Sequence, residues 1–494
     1  MIAPALIALA GLALAVGDEE TPAKSATATA ETQHTLKLAG GDLTYTARAG
    51  TLRLSDEDGT PRADVFHVSY ELAQGRDDAT RPVTFCFNGG PGSSSVWLHL
   101  GVFGPQRVEL SDAGEPPLVP PYRCVPNEST LLDISDLVFV DPPSTGYSRV
   151  AEGTDAEAFH GVDEDVRWMA EFIRLFVTQE ERWDSPKFLA GESYGTTRVA
   201  GLARRLQETH GMNLNGVVLI SSILDFQTAR FDVGNDLPYV LFLPTYTATA
   251  FYHGKLAGRL AKDLERTLDE AETFAAGDYR DALFAGERLG EEARLEIAHR
   301  LAAFTGLSVD FCLETNLRPK IHQVTKELLR ERALTVGRLD SRFVGRDRRA
   351  AGERYEFDPS YAAIQGAFTG ALNAYVREEL DYANDLPYEI LTGRVQPWSW
   401  TGRDQRYVAL SESLRRAITT NPALDVFVAN GRYDLATPYF ATEYTFAHLE
   451  LPPESAGNVE LHDYPAGHMM YVHLPSLATL RADLGNFYAR ALRR

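Results

Sequence analysis

The stretch GESYG, residues 191–195, places a serine between two glycines where an apolar run gives way to a helical pattern. This GxSxG spacing is common by chance, but a strand–turn–helix setting makes it typical of a nucleophile elbow. In such an elbow the chain turns sharply, the serine hydroxyl projects from the top of a sheet, and the next backbone N–H points at a developing oxyanion. Ser193 is therefore the candidate nucleophile of an acyl-transfer reaction.

A serine hydroxyl needs a general base, and the base needs a carboxylate that orients it. In proteins that carry this elbow, the carboxylate and then the histidine follow the serine along the chain. Asp434 lies in a polar loop after the apolar run LDVFVANG, and His468 lies in a short loop after VELHDYPAG. We predict Asp434 as the orienting acid and His468 as the base.

Other downstream residues compete for these two roles. His462 falls inside a predicted strand, which favours a structural position, and Asp425 begins a strand and so lies at the opposite edge of the sheet. The loop position after Pro-Ala-Gly lets His468 turn back toward the top of the sheet. The remaining competitors are His448, His473 and Asp463.

The glycine-rich loop FNGGPG, residues 87–92, follows an early apolar run. An acyl-transfer site needs a second oxyanion donor from such a loop, and glycines remove the side chains that would block its backbone N–H groups. We assign the N–H groups of Gly90 and Tyr194 to the oxyanion hole. A phosphate site is not favoured, because the sequence has no GxxxxGK[ST] motif and no lysine near this loop.

Short apolar runs precede each of these loops. Runs of this kind, bounded by turn residues, are typical of strands buried on both faces of a parallel sheet. They cover residues 82–88, 135–141, 187–193, 215–221 and 424–431, and helical patterns cover residues 155–179 and 196–211. Strands that alternate with helices predict an α/β fold with a mainly parallel sheet.

Two regions differ from this pattern. Residues 34–72 alternate apolar and polar side chains between glycine turns, which predicts an antiparallel ribbon. Residues 232–393 carry long charged helical stretches and lack a buried strand run, which predicts a helical insertion over one edge of the sheet. The core is therefore expected in two parts, residues 34–231 and 394–494.

Five motifs occur in one order along residues 87–471: FNGGPGSSS, DPPSTGYS, GESYG, NGRYDLATP and AGHMMY. Together they resemble the serine carboxypeptidase family of α/β-hydrolases, specifically its bacterial branch. The resemblance implies an α/β-hydrolase fold with a mainly parallel central sheet, N-terminal antiparallel strands and a mostly helical cap. It implies Ser193, Asp434 and His468 as the catalytic triad, and the release of C-terminal amino acids from peptides.

The resemblance also implies how the substrate is recognised. In the family an Asn and a Glu hold the free carboxylate of the substrate, and they match Asn88 and Glu192. An ionised carboxyl only accepts hydrogen bonds, so Glu192 donates to that carboxylate only when it is protonated. We therefore expect peptidase activity on the acid side of neutral.

The sequence departs from the family pattern near this pair. Val102 stands where the family usually has a second Glu, so the two carboxyls that share a proton are absent unless His99 or another group substitutes. Cys86 replaces a common Trp, and Ser93 replaces the Cys of a family disulfide. We predict a milder acid preference than a Glu pair produces.

The sequence is compatible with three functions: a carboxypeptidase, an esterase or acyltransferase, and a non-catalytic binding protein. A carboxypeptidase uses Asn88 and Glu192 to select a free C-terminus, whereas an esterase or acyltransferase with the same triad does not need them. The absence of the second Glu at Val102 leaves room for the esterase or acyltransferase. A non-catalytic binding protein of this fold is disfavoured by the intact Ser, Asp and His set.

Charge and the N-terminus bear on partners and location. The net charge of −21 argues against nucleic acid as a partner, because phosphate contacts need clustered Lys and Arg. Residues 1–17 form a short apolar run that reads as a signal peptide, with a buried N-terminal helix as the alternative. Residues 18–33 lack bulky apolar side chains and predict a flexible lead-in. A secreted or periplasmic enzyme is the expectation.

The chemistry above needs no cofactor, and no His or Cys spacing indicates a metal site. The expected partner is a peptide substrate with a free C-terminus; the oligomeric state is not indicated. Of the three cysteines, Cys86 lies inside a predicted core strand. Cys124 and Cys312 are the pair left for a disulfide, if one forms.

Overall fold

The computed structural model describes residues 29–38, 40–73, 80–117, 119–400 and 407–493. The predicted signal peptide, residues 1–17, lies outside the described residues, as does most of the predicted lead-in. The first strand begins at Ala30, so the last four residues of that lead-in, 30–33, are strand rather than flexible chain. They pair with residues 46–49 of the next strand, and backbone pairing of this kind does not require bulky side chains.

A ten-stranded sheet forms the centre of the molecule, and two short antiparallel pairs lie outside it. In chain order the strands are β1 Ala30–Leu38, β2 Gly41–Ser55, β3 Pro61–Leu72, β4 Val83–Phe87, β5 Gln106–Val108, β6 Cys124–Pro126, β7 Asp136–Val140, β8 Arg149–Val150, β9 Lys187–Glu192, β10 Gly216–Ile220, β11 Thr335–Val336, β12 Val344–Gly345, β13 Asp425–Gly431 and β14 Val459–Tyr464.

The order of strands across the sheet is β1-β2-β3-β7-β4-β9-β10-β13-β14, with β8 beside β3. Strands β1 to β3 are antiparallel, as the alternating N-terminal sequence predicts, and β3 joins β7 in the same way. From β7 to β14 every neighbouring pair is parallel. The predicted fold class, a mainly parallel sheet with N-terminal antiparallel strands, is confirmed.

Helices cover both faces of the sheet and fill the region between β10 and β13. They are α1 Val96–Leu98, α2 Val162–Gln179, α3 Tyr194–His210, α4 Leu237–Tyr252, α5 Leu264–Phe274, α6 Arg280–Ala285, α7 Glu291–Thr305, α8 Val309–Glu314, α9 Ile321–Glu327, α10 Pro359–Glu378, α11 Ser411–Thr420, α12 Tyr439–Ala447 and α13 Leu474–Ala491. Short single-turn helices of 3₁₀ or π type connect several of them.

The parallel strands are buried on both faces, which explains their continuous apolar sequences. Along β4, Phe85 and Phe87 pack into a core with α2, α3 and α11, whereas Cys86 packs into a core with α10 and α13. Successive side chains of a strand point to opposite faces. Each short apolar run therefore contributes to two separate cores.

Residues 232–393 contain α4 to α10 and the hairpin of β11 and β12. Helices α4, α5 and α7 build a hydrophobic core of their own, separate from the two that flank the sheet. The long helix pattern of residues 254–279 is interrupted, because Gly258 adopts a left-handed φ of 62° and Gly277 is non-helical. The Asp263 side chain restarts the helix by accepting a hydrogen bond from the N–H of Arg266.

The three cysteines are free thiols. Cys124 lies in β6 and Cys312 in α8, so the possible disulfide between them is not formed. In the part of the chain that the structure describes, no helix is both long enough and apolar enough to cross a membrane.

A buried ion pair connects the helices on one face of the sheet to the loop after β4. Arg198 of α3 is 1 % exposed and donates from Nε to both carboxylate oxygens of Asp165 in α2, at 3.0 and 2.8 Å. Its Nη1 donates to the carbonyl of Asn88 at 2.7 Å. The Tyr194 hydroxyl donates to Asp165 at 3.1 Å. This cluster therefore fixes the end of β4 relative to the start of α3.

Replacing Asp165 by Ala leaves the Arg198 guanidinium buried without its carboxylate. We expect the free energy of unfolding to fall by about 3–5 kcal/mol, because removal of one partner of a buried pair is far more costly than loss of an exposed one. Denaturant unfolding measures this change. Glu412→Ala, which breaks the exposed pair with Arg415, is the matched control and should cost less than about 1 kcal/mol. Equal losses in the two variants contradict this prediction.

Candidate active site

The carboxyl ends of parallel strands meet at one edge of the sheet, and the predicted site residues follow four of these ends. Asn88 follows β4, Ser193 follows β9, and the loops after β13 and β14 carry Asp434 and His468. Since β4 adjoins β9 and β13 adjoins β14, with β10 between the two pairs, the four residues share one edge. Asp425 lies at the opposite end of β13, as predicted.

Ser193 occupies the tight turn between β9 and α3. Its φ of 58° and ψ of −129° are strained for a residue with a side chain. A Cβ on Gly191 would lie 2.3 Å from the carbonyl oxygen of Gly195, and a Cβ on Gly195 would lie 2.4 Å from that of Phe87. Both glycines of the motif are therefore required by backbone packing.

The loop after β4 packs against this turn. A Cβ on Gly89 would lie 2.6 Å from the backbone nitrogen of Tyr194 and 2.9 Å from the Cβ of Ser193. Gly90 has a φ of 104° and lines the cavity beside Ser193. Tyr194 is the first residue of α3, where backbone N–H groups have no partner within the helix.

Asp434 and His468 form a direct pair. Nδ1 of His468 lies 2.7 Å from Oδ2 of Asp434, and both residues are buried. Asp434 also accepts from the N–H groups of Ala436 and Thr437 at 2.7 and 3.1 Å, and from the Thr437 hydroxyl at 2.7 Å. The carboxylate is thus held in one orientation, and it directs Nε2 of the imidazole away from itself.

The hairpin of β11 and β12 reaches the same two loops through its tip, residues 337–343. On the Asp434 side, Leu435 donates its N–H to the carbonyl of Arg338 at 3.0 Å, and Ser341 donates to the carbonyl of Tyr433 at 3.0 Å. These bonds attach residues 232–393 to the loop that carries the acid.

The same tip also binds the histidine loop. The His468 N–H donates to the carbonyl of Leu339 at 2.6 Å. The Gly467 N–H donates to Oδ2 of Asp340 at 3.1 Å, and Arg342 pairs with that carboxylate. The position of His468 therefore depends on the inserted region as well as on β14.

Asn88 and Glu192 are in direct contact. Nδ2 of Asn88 donates to Oε2 of Glu192 at 2.9 Å, and Oδ1 of Asn88 accepts from the N–H of Leu98 at 3.0 Å. That second bond defines which end of the amide faces Glu192. The Tyr471 hydroxyl donates to the same Oε2 at 2.6 Å.

Burial shifts the pKa values of the two titratable groups beside Ser193. Burial raises the pKa of Glu192 to about 7, although the positive charge of His468 and the hydrogen bonds from Tyr471 and Asn88 act against it. Burial lowers the pKa of His468, but the charge and hydrogen bond of Asp434 outweigh it, so the pKa is raised overall. Glu192 is therefore protonated in part near neutral pH.

These residues line one cavity of about 340 Å³. It contains the elbow, the glycine-rich loop and the imidazole, together with aromatic and charged side chains from residues 232–393. Its lining includes Asn88, Gly89, Gly90, Trp97, Glu192, Ser193, Arg338, Leu339, Tyr355, Asp358, Tyr361, Leu391, His468 and Met469. Among the described residues, no group of three or more His, Cys, Asp or Glu side chains could hold a metal ion.

Comparison with known proteins agrees with this geometry. The family model for serine carboxypeptidases matches residues 47–462. The chain belongs to the serine carboxypeptidase family.

Relatives of this chain include two curated proteins. The pheromone-processing carboxypeptidase KEX1 of Yarrowia lipolytica is 31 % identical over 221 residues, which cover 44 % of this chain and 32 % of the relative. The lysosomal protective protein of Mus musculus is 27 % identical over 222 residues, 44 % of this chain and 40 % of the relative. The matched region is thus less than half the length of either relative.

A solved structure extends the likeness over most of the fold. Kex1Δp, a prohormone-processing carboxypeptidase from Saccharomyces cerevisiae, superposes with a TM-score of 0.57 at 16 % identity. The match covers 90 % of this chain and 91 % of that chain. It supports the α/β-hydrolase fold assigned above.

The sequence left His99 or another group as the neighbour of Glu192, and the structure shows another group. Val102 is buried in a π-helical turn, and His99 bonds to the Tyr70 hydroxyl at 2.6 Å rather than to Glu192. Tyr471 takes the position next to Glu192 instead. It belongs to the quoted motif AGHMMY, but motif order alone does not indicate that its hydroxyl points at Glu192. No motif or periodicity in the sequence predicts the contacts that Leu339 and Asp340 make with the loop of His468.

Replacing Tyr471 by Phe removes a donor that stabilises the ionised form of Glu192. We expect the pKa of Glu192 to rise above about 7. Infrared titration of the protonated carboxyl, assigned by its loss in Glu192→Gln, measures this pKa. Tyr361→Phe alters a tyrosine of the same cavity and is the control, for which no change is expected. An unchanged pKa in Tyr471→Phe rules out this role for the hydroxyl.

Proposed function

We propose that this protein is a serine carboxypeptidase that releases C-terminal amino acids from peptides through an acyl-enzyme. The observation that carries the proposal is one cavity that contains Ser193, His468 and the contacting pair Asn88 and Glu192. The first two supply acyl-transfer chemistry, and the pair supplies recognition of a free carboxylate. Membership of the serine carboxypeptidase family supports the same conclusion.

In the proposed first step, Oγ of Ser193 attacks the carbonyl carbon of the last peptide bond. Its proton passes to Nε2 of His468, while Asp434 stabilises the imidazolium through Nδ1. The C–N bond then breaks, and His468 returns the proton to the leaving amine. In the second step His468 removes a proton from water as the water oxygen attacks the acyl carbon. The bond between that carbon and Oγ of Ser193 then breaks, and His468 returns the proton to Oγ.

Negative charge on the carbonyl oxygen requires donors during both steps. We assign the N–H groups of Gly90 and Tyr194 to this role, because Gly90 lines the cavity and Tyr194 begins α3 directly after Ser193. Loss of one such donor typically lowers the rate by about 10²–10³. The strained elbow supports this assignment, since it presents the serine and the next N–H to the same side.

Recognition of the substrate carboxylate depends on the protonation state of Glu192. The hydrogen bonds from Asn88 and Tyr471 both end on Oε2, which leaves Oε1 to carry the proton and donate it. The hydrogen bond from Tyr471 acts against the rise in the pKa of Glu192 that burial causes. The pKa of about 7 still leaves Glu192 protonated in part near neutral pH, which supports a mild acid preference.

An esterase or acyltransferase is the second candidate, favoured by the absence of a second carboxyl at Val102. It would use the same Ser193, His468 and Asp434 without selecting a free C-terminus. The contact between Asn88 and Glu192 argues for the carboxypeptidase, because an ester substrate gives neither residue a partner.

The proposal also covers the role of residues 232–393 and the location of the protein. We propose that residues 232–393 act as a cap over the active site, supported by the hairpin contacts and by the lining residues that this region contributes. We also propose a secreted or periplasmic location, supported by the apolar residues 1–17 and by the lysosomal name of the mouse relative.

Replacing Ser193 by Ala removes the nucleophile. We expect turnover of peptides and esters to fall by about 10⁴-fold or more, with the unfolding temperature unchanged. A fluorophosphonate should add once to the unmodified protein and not to the variant, as intact-mass measurement checks. Turnover that survives the substitution excludes the proposed mechanism.

A substrate panel tests the choice of carboxypeptidase over esterase. It compares a peptide with a free C-terminus, the same peptide as its amide, and a blocked ester. We expect the ratio of kcat/KM for the free peptide to that for the ester to fall as the pH rises through about 7. Both substrates need neutral His468, so the ratio isolates the proton on Glu192, and above that pKa it falls by about tenfold per pH unit.

Glu192→Gln should remove the pH dependence of this ratio, because an amide donates at every pH. Glu443→Gln is the matched control: burial, Asp463 and Glu272 raise the pKa of Glu443 to about 7 as well, but it does not line the cavity. Its ratio should follow the unmodified protein. Equal use of the free peptide and its amide favours the esterase.

A further inference from the structure

Arg338 lies at the tip of the hairpin, with its backbone fixed beside the acid and base. Its N–H donates to Oδ1 of Asp358 at 3.1 Å, and its carbonyl accepts from Leu435 at 3.0 Å. The residue is half-buried and lines the cavity that contains Ser193. Its position is therefore set by the same bonds that hold the loop of Asp434.

The guanidinium of Arg338 has no protein counter-ion. Within the described part of the chain, no carboxylate oxygen lies within 4.0 Å of it and its side chain makes no hydrogen bond. Its neighbour Arg342 is paired with Asp340, and the buried Arg198 is paired with Asp165. An arginine presents N–H donors in a planar fork that matches a carboxylate.

The charge of this guanidinium reaches the reaction centre. Its positive charge lowers the pKa of His468, although it contributes less than burial, Asp434 and Glu192 do. The charge of Arg338 also lowers the pKa of Tyr355, another lining residue, whose pKa burial and Asp358 raise. The guanidinium is thus close to the cavity rather than directed into bulk solvent.

The negative groups of the cavity are already occupied. Asp358 accepts from the N–H groups of Arg338, Leu339 and Ser360, so its oxygens face the backbone. Glu192 accepts from Asn88 and Tyr471 through Oε2. A carboxylate that enters the cavity therefore meets an arginine whose donors are free.

We propose that Arg338 binds a carboxylate of the peptide substrate and so makes this enzyme selective for acidic peptides. The inference rests on the proposed carboxypeptidase function, and it names the substrate class of the same site. We assign this carboxylate to an Asp or Glu side chain next to the scissile bond; the C-terminal carboxylate is the other source, and the test below distinguishes the two. Both sources present the same planar pair of oxygens to the guanidinium.

Equilibrium binding to the full-length Ser193→Ala protein tests this inference without turnover. Calorimetry compares peptides that differ as Glu against Gln at either of the last two residues, and as free acid against amide. We expect the Glu peptide to bind about 10- to 100-fold more tightly than the Gln peptide, as a charge-assisted hydrogen bond provides. Arg338→Gln in the same background should remove that difference.

The pattern of loss identifies the source. If Arg338→Gln removes the Glu-over-Gln preference alone, the partner is a substrate side chain; if it removes the acid-over-amide preference, the partner is the C-terminus. The first result supports the selectivity for acidic peptides, and the second overturns it, because every peptide substrate has a C-terminal carboxylate. Unchanged binding ratios in both comparisons also overturn the inference, whereas absence of turnover in the unmodified protein overturns only the proposed function.

Two further variants control for charge and folding. Arg354→Gln makes the same charge change in an exposed residue of the inserted region that does not line the cavity, and it should keep both ratios. Arg338→Glu should reverse the preference, so that a peptide with Lys binds more tightly than one with Glu. Because the Arg338 side chain makes no hydrogen bond to described residues, the unfolding temperature should not change in either Arg338 variant.

Discussion

The backbone hydrogen bonds at the tip of the hairpin of β11 and β12 hold the two loops that carry Asp434 and His468. Parallel strand pairing brings β13 and β14 together, but it leaves the loops beyond their carboxyl ends unrestrained. The bonds to the carbonyls of Arg338 and Leu339 restrain both loops at once. An imidazole that must transfer a proton has to be positioned within about 0.5 Å. The inserted region is therefore part of the site's construction.

Burial is the second constraint on the site. Charged side chains that are buried here are paired, as Arg198 is with Asp165. Arg198 also donates to the carbonyl of Asn88 and so fixes the backbone of that residue. The same burial raises the pKa of Glu192, and the charge of His468 and hydrogen bonds from Tyr471 and Asn88 limit that rise. The buried ion pair and the pKa of Glu192 thus depend on the same low-dielectric region behind Ser193.

Glu192 has the hydroxyl of Tyr471 as its neighbour, whereas the family pattern predicts a second carboxyl there. The Tyr471 hydroxyl donates to Glu192 while its ring packs against the backbone of Gly101. A Cβ on Gly101 would lie 2.4 Å from that ring. A phenol donates a hydrogen bond to the carboxyl without carrying a negative charge, so it acts against the rise in the pKa of Glu192 that burial causes. The pKa of Glu192 is about 7 as a result.

The sequence by itself determined the fold class, the strands of the parallel sheet and the site residues proposed at their ends, because buried runs and turn glycines are local signals. Gly191 shows the same, since it is required by the backbone of Gly195 four residues later, whereas Gly195 is required by the carbonyl of Phe87 at the end of β4. Tertiary structure alone decided the neighbour of Glu192 and the exposure of the Arg338 guanidinium to the cavity. Glu192 and Tyr471 are 279 positions apart, and side-chain geometry across such a separation leaves no periodic pattern in a single sequence.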